Sequence, residues 1–340
     1  MTKKWSSRLT FFAFVVLMVG LGSNDSLRGI FSTIFQEHFS LTTTQLGLIV
    51  TASYIGNLVF LLVGGNLSTR FSKKRVLQVL ILIWMAALAL FAFTSNYTVL
   101  LIGMALALGS STLLNTTMNL ITPLLFATAP GFFVNFLFFT QEIGTSGSQY
   151  ILGSHADGFA FWQHTNLVLL ILGAVAFVLL LFCNVPEEAA APADAPAQKG
   201  GYDWRIIVPY VLVFGFYFIA EHGVMNWMVA YGVDGLGLPQ ASAAKYLSVF
   251  FGGMMIGRLC LSPLVDKLGA LKSLAAFGGV SCVLYLIGSL GGAVTMPVWA
   301  ISGLSFSILY PTLVMSIRLY FPAQQVSGAA GTILSIASLA

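Results

Sequence analysis

Long apolar runs alternate with short polar breaks along this chain, and the runs exceed what one face of a water-facing helix needs. A helix rises about 1.5 Å per residue and the hydrocarbon core of a bilayer is about 30 Å thick, so a span needs about 20 apolar residues. Such runs cover Phe11–Ile34, Gln45–Val63, Val76–Phe93, Tyr97–Phe126, Gly131–Leu152 and Leu167–Cys183. Six membrane helices are predicted there. Asn184 to Trp204 is rich in Ala, Pro and acids and reads as a solvated linker. A second series follows at Ile206–Tyr231, Ala243–Leu264, Leu271–Leu290 and Met296–Tyr320. A final run from Gly328 to Ala340 is too short to cross, so the sequence is expected to be cut short within an eleventh helix.

The pattern therefore predicts an all-α polytopic membrane protein. An N-terminal six-helix half spans 1–184, a cytoplasmic linker 185–204, and an incomplete C-terminal half 205–340. The first apolar run passes Gly20, turns polar at Ser23, Asn24 and Asp25, and then becomes apolar again. That predicts a retained helix with a polar middle and not a cleaved leader, which has a short core and a small-residue cleavage site.

Composition agrees with lipid as the solvent. Charged residues are 8% of the 340 positions, where soluble domains carry about 25%. The net charge is +4, with no basic stripe interleaved with aromatics, so nucleic acid is not an expected partner. Cys183, Cys260 and Cys282 lie in apolar stretches and read as buried hydrophobes. No metal-ligand spacing is visible, and neither metal nor cofactor is expected. A Gly-rich phosphate loop ending in Lys and Ser/Thr is lacking, which argues against an ATP-driven pump. So is His-Glu-x-x-His, which argues against an intramembrane metalloenzyme; no enzymatic activity is expected.

Basic residues set the predicted orientation. With the N-terminus in the cytoplasm, that side holds Lys3, Lys4, Arg8, Arg70, Lys73, Lys74, Arg75, Lys199, Arg205, Lys267, Lys272 and Arg318. The opposite side keeps Lys245 alone, and Arg28 and Arg258 fall inside spans. A multi-pass protein of the cell inner membrane is expected, most simply a monomer.

The halves also repeat. Adding 197 to a position in the first half carries Thr69 onto Asp266, Gly56 onto Gly253, and Asn24-Asp25 onto Glu221-His222. Parallel repeats of this kind build one large class of secondary transporters, with the solute site near the bilayer midplane.

At Gly65 to Lys74 the chain resembles the major facilitator superfamily, whose motif there is a Gly, an Asp-Arg pair, a second Gly and two basic residues. Thr69 stands in place of the acid and Ser72 in place of the second Gly. The second copy, Asp266-Lys267-Leu268-Gly269, keeps both. Within the superfamily the chain is most similar to the fucose:proton symporter-like sugar transporters. Asn24-Asp25, Asn115 to Asn119, Ala243 to Leu247 with Gly257-Arg258, and Tyr310-Pro311-Thr312 carry that likeness. The resemblance implies twelve helices in two pseudo-symmetric halves, a sugar-like substrate, and acids in helices one and four for recognition and proton coupling. Asp25 matches the first acid. Asn115 replaces the second and cannot titrate.

Ionised groups at the centre of a span cost roughly 2.5–3.5 kcal/mol each on insertion scales, so they face the bundle interior or water. Asp25, Arg28, Glu142, Glu221 and His222 are such groups. Asp25 is the first candidate for the protonatable group, although Asp25 and Arg28, at i and i+3, could form a structural pair. Glu142 could supply the carboxylate that Asn115 lacks, or could pair with Arg28 or Arg258. Asn24, Asn115, Asn119 and Gln141 offer amide donors and acceptors that suit sugar hydroxyls, or could join helix to helix. Glu221, Trp227 and Tyr310 are further candidates to line the site, and His222 is a relay or a packing group. Arg70, Lys73, Lys74, Arg258 and Asp266 are assigned to the gate or to topology. The expected function is secondary transport of a small polar solute, with proton symport; a drug or metabolite exporter and a non-transporting membrane sensor are the alternatives.

Overall fold

Fourteen α-helices are found among the residues described by this computed structural model, namely 3–126, 130–186, 203–321 and 323–338. Side chains at 3–6, 62–70, 262, 266, 318 and a few other helical positions fall outside the description. No strand occurs among the described residues. In lipid a helix satisfies its own backbone polar groups, which is why apolar runs of this length fold this way.

The helices are α1 (Lys3–Ile30), α2 (Ser32–His38), α3 (Thr43–Arg70), α4 (Lys73–Phe93), α5 (Tyr97–Leu125), α6 (Pro130–His155) and α7 (Phe159–Phe182). Then follow α8 (Trp204–Ala230), α9 (Gln240–Cys260), α10 (Ser262–Leu268), α11 (Ala270–Leu290), α12 (Met296–Phe306), α13 (Leu309–Ser316) and α14 (Ala323–Ala337). Among the described residues eight segments are long and apolar enough to cross a membrane, including Ser7–Ile30, Phe159–Phe182 and Trp204–Gly235. The helices α6 and α9 have spanning length, 26 and 21 residues, but carry polar residues along it.

Several boundaries differ from expectation, and the first predicted span, Phe11–Ile34, is divided at Phe31 into α1 and α2. α7 begins at Phe159, eight positions before Leu167, because Trp162, Thr165 and Asn166 are buried and the helix starts among aromatic rings. The tenth span is divided into α12 and α13, with a break at Ser307 and Ile308. The motif from Gly65 to Lys74, which falls between two predicted spans, is largely helical, since α3 runs to Arg70 and α4 starts at Lys73. Ser72 caps α4, its side chain accepting from the Arg75 N–H. Likewise Asp266 lies within α10, not in a loop.

The helices fall into two units, Met1–Asp194 and Ala195–Ala340. In the first, α1 lies against α6 and α7, α3 against α5, and α4 between α5 and α7. In the second, α12 packs on α9 and α11, and α14 on α8. Close approach is bought with glycine. A Cβ on Gly56 would collide with the Ala105 backbone, and one on Gly257 with Leu304 and Ser307. The pair Gly253 and Gly257 thus serves helix packing, as the small-residue spacing predicts.

Candidate functional site

The polar middle of α1 is held against α5 and α6. Ser23 Oγ donates to the Val19 carbonyl on its own helix at 2.9 Å and lies 3.3 Å from the Gly144 carbonyl of α6. Thr145 Oγ1 returns from α6 to the Gly22 carbonyl at 3.2 Å. Gly22 and Gly144 let the two backbones meet, since a Cβ on either would strike the facing main chain. This contact fixes where the next residues of α1 point.

Asp25 is bridged to α5. Ser111 Oγ is 3.2 Å from both carboxylate oxygens and can donate to either. Asn24 Nδ2 donates to Asp25 Oδ1 at 3.3 Å. Arg28, one turn along, acts electrostatically on Asp25 and stands over the Tyr54 ring of α3, 5.8 Å from its centroid. Arg28 is 5% exposed, so its charge is taken up inside the unit and not by solvent.

One turn beyond Ser111 the amides begin. Asn119 Nδ2 donates to Asn115 Oδ1 at 2.6 Å, and Asn115 Nδ2 donates to Gln141 Oε1 at 2.7 Å. Both bonds run one way, along α5 and then across to α6. Asn119 Oδ1 is buried and accepts no hydrogen bond. Carboxylate, hydroxyl and amides together offer donors and acceptors on three helices, which suits a solute rich in hydroxyl groups.

Five expected residues are therefore brought together: Asn24, Asp25, Asn115, Asn119 and Gln141. Glu142 follows Gln141 but is turned about 100° around the helix, so the partner of Asn115 is the amide and not the acid. Ser111 and Tyr54 were not anticipated. Ser111 lies four residues before Asn115, and that i, i+4 spacing was the available signal. Nothing in the sequence marks Tyr54.

Of the other expected residues, Glu221, His222, Trp227, Arg258 and Tyr310 lie in the second unit. His222 stacks on Phe218 with ring centroids 5.5 Å apart. Asn226 Nδ2 donates to the His222 carbonyl at 2.8 Å. Tyr310 packs on Phe214, Tyr217 and Phe218, and both Glu221 and Arg258 act on it electrostatically. Trp227 is half-buried on α8. Lys74 Nζ donates to the carbonyls of Leu181 and Cys183 at 2.9 and 2.7 Å, tying α4 to the end of α7. Lys73 is buried. The side chains of Arg70 and Asp266, and all of Lys199, lie outside the described residues. Among the described residues no group of three His, Cys, Asp or Glu could hold a metal ion.

The Major Facilitator Superfamily model matches residues 10–340. The chain belongs to that superfamily. It is 24% identical over 333 residues to the L-fucose-proton symporter of Escherichia coli (strain K12), covering 85% of this chain and 75% of that protein. It is 27% identical over 301 residues to the glucose/galactose transporter of Brucella abortus biovar 1 (strain 9-941), covering 81% and 71%. Among solved structures, the D-xylose-proton symporter superposes with a TM-score of 0.75 at 16% identity, over 99% of this chain and 88% of that one. The transporter FucP in its outward conformation gives 0.68 at 21% identity, over 98% and 89%. The all-α facilitator fold is thus established for this chain.

Proposed function

We propose that this superfamily member is a secondary active transporter that moves a small, hydroxyl-rich solute of sugar type by alternating access, with protons as the coupling ion. The observation that carries the reading is the junction of α1, α5 and α6, where Asp25 meets Ser111 and the directed amides Asn119, Asn115 and Gln141. The names of the relatives, a fucose-proton symporter and a glucose/galactose transporter, support the same substrate class and coupling. Asp25 is the carboxylate that takes up and releases the proton. The amides recognise hydroxyl groups. Glu221, Trp227 and Tyr310 contribute from the second half, and Glu142 tunes the charge near Gln141.

The six-helix half 1–184, the linker 185–204 and the half 205–340 are the functional divisions. The N-terminus and the linker are cytoplasmic, because basic residues cluster on that side. Arg70, Lys73, Lys74, Arg258 and Asp266 belong to the gate or fix topology. The protein works as a monomer in the cell membrane and needs no cofactor.

Proteoliposomes holding the protein and an internal pH-sensitive dye, offered labelled hexoses and 6-deoxyhexoses, test this. Counterflow of a labelled sugar in sugar-loaded vesicles, and acidification inside when sugar is added outside sugar-free vesicles, are the expected results. Net sugar entry into sugar-free vesicles without acidification would reject proton coupling, and no counterflow with any polyol would reject the substrate class.

A further inference from the structure

The packing of α3 directs one more amide, that of Asn57, toward the junction of Asp25 and Ser111. A Cβ on Gly56 would meet the Ala105 backbone, and one on Gly109 would strike Phe60, so Gly56 and Phe60 face α5. Tyr54 stands beneath Arg28 of α1. Leu48, Ile55 and Val59 form the exposed side of the helix. At about 100° per residue, Asn57 falls between the side on α5 and the side on Arg28, opposite the exposed one. It therefore occupies the angle between α1 and α5.

The levels agree as well. Phe11 meets Phe126 and Asp25 meets Ser111, so α1 and α5 run in opposite senses. Gly56 meets Ala105 and Phe60 meets Gly109, so α3 runs with α5 and against α1. Three residues beyond Tyr54 on α3 is Asn57, and three residues back from Arg28 on α1 is Asp25. Each step is about 4.5 Å along its helix, which sets Asn57 level with Asp25.

Asn57 is half-buried, and its Oδ1 is buried and accepts no hydrogen bond. Buried polar atoms are normally paired, so an open acceptor at this position asks for a donor. The polar groups of the junction do not supply one: an ionised Asp25 only accepts, and the Ser111 hydroxyl faces the Asp25 carboxylate. Resting on the sugar-type reading above, we infer that Asn57 is a specificity residue, its Oδ1 accepting a hydrogen bond from one hydroxyl group of the solute. A solute with an O–H at that position fills an acceptor that the empty protein leaves open. A solute without one leaves the amide unpaired and is rejected for that reason.

Monodeoxy and deoxyfluoro sugars test this, because fluorine takes the place of a hydroxyl and cannot donate. The Kd of each analogue is measured in detergent by competition against its labelled parent hexose or 6-deoxyhexose, for the wild type and for Asn57→Leu. At one ring position both analogues should bind the wild type about tenfold more weakly than the parent, equivalent to about 1.4 kcal/mol. With Asn57→Leu the parent should fall to their level, and all three should agree within about twofold. At the remaining positions the ratios should match those of the wild type. Each ratio compares sugars on one protein, so a loss of folded material cancels. Asn57→Ala, which only removes atoms, should give the same pattern if Leu crowds the helix. Wild-type ratios at every position in both variants would overturn the role of Asn57 and leave the sugar reading standing. Failure of every parent sugar to bind the wild type is a separate result, which removes the substrate class and the role of Asn57 together.

Discussion

At the scale of single residues the site couples a carboxylate to a hydroxyl, and the hydroxyl to a row of amides. Each group has a distinct expected effect. Exchange of substrate across the membrane requires no net proton movement, whereas accumulation against a gradient does. Asp25→Asn should therefore abolish uphill accumulation in right-side-out vesicles and leave sugar exchange measurable. Accumulation that survives the substitution would exclude Asp25 as the coupling group. Ser111→Ala removes the hydroxyl that faces both Asp25 oxygens. Hydrogen bonds to charged groups contribute about 1.5–3 kcal/mol, so kcat/KM for uptake should fall about tenfold or more. Ser110→Ala is the matched control, because the Ser110 hydroxyl binds carbonyls of its own helix. It should change uptake by less than about twofold on the same scale. Glu142→Gln separates the remaining possibilities. An effect as large as that of Asp25→Asn would make Glu142 a partner in carrying the proton.

At the scale of helices, backbone contact positions the chemistry. Gly22 and Gly144 allow α1 and α6 to touch, and Ser23 and Thr145 bond across that contact. Gly144→Leu should push the helices apart at a cost of about 1–3 kcal/mol, read as a lower unfolding midpoint in detergent. It should also lower substrate affinity, since Asp25 and Gln141 flank the contact. Gly147→Leu, where a Cβ meets nothing within 4 Å, should leave both unchanged. Helices were readable from the sequence because a span must be apolar for its whole length, and most predicted boundaries fall within a few residues of those observed. The start of α7 is an exception with a visible cause: buried Trp162 and Asn166 are polar or amphipathic enough to look like an end, yet Phe31 and Phe35 pack on Trp162, Asn166 Nδ2 donates to the Trp162 carbonyl, and α7 is continuous there. The amides Asn115 and Gln141 were also readable, being polar residues inside apolar runs. Their pairing was not, because hydrogen bonds between helices 26 residues apart in sequence depend on how α5 and α6 rotate against each other. Tyr54 was hidden for the same reason: one more aromatic in an apolar helix carries no mark until Arg28 is seen beside it.

For the whole molecule, the repeat and the asymmetry of basic residues make one joint claim. On the proposed topology both halves run in the same sense, which puts the starts of α1, α4, α8 and α11 on one side of the bilayer. The basic residues Lys73, Lys74, Arg75, Arg205, Lys267 and Lys272 cluster near three of those starts, and Arg8 lies in the early turns of α1. Anionic lipid and the membrane potential favour the cytoplasm for such a cluster. Ser95 lies between α4 and α5, and Asp234 follows α8; both are exposed and at the opposite ends of their helices from these charges. Single cysteines at Ser95 and Asp234, in a chain otherwise free of cysteine, should react in intact cells with an impermeant thiol reagent. A cysteine at Lys267 should react only after the membrane is opened. Because Ser95 and Asp234 sit in different halves, the two labels test separate things. Labelling of both from outside supports parallel halves with a cytoplasmic N-terminus. Labelling of Asp234 but not Ser95 would mean that the halves are inverted relative to each other, and the offset of 197 would then be a likeness of sequence without a likeness of orientation.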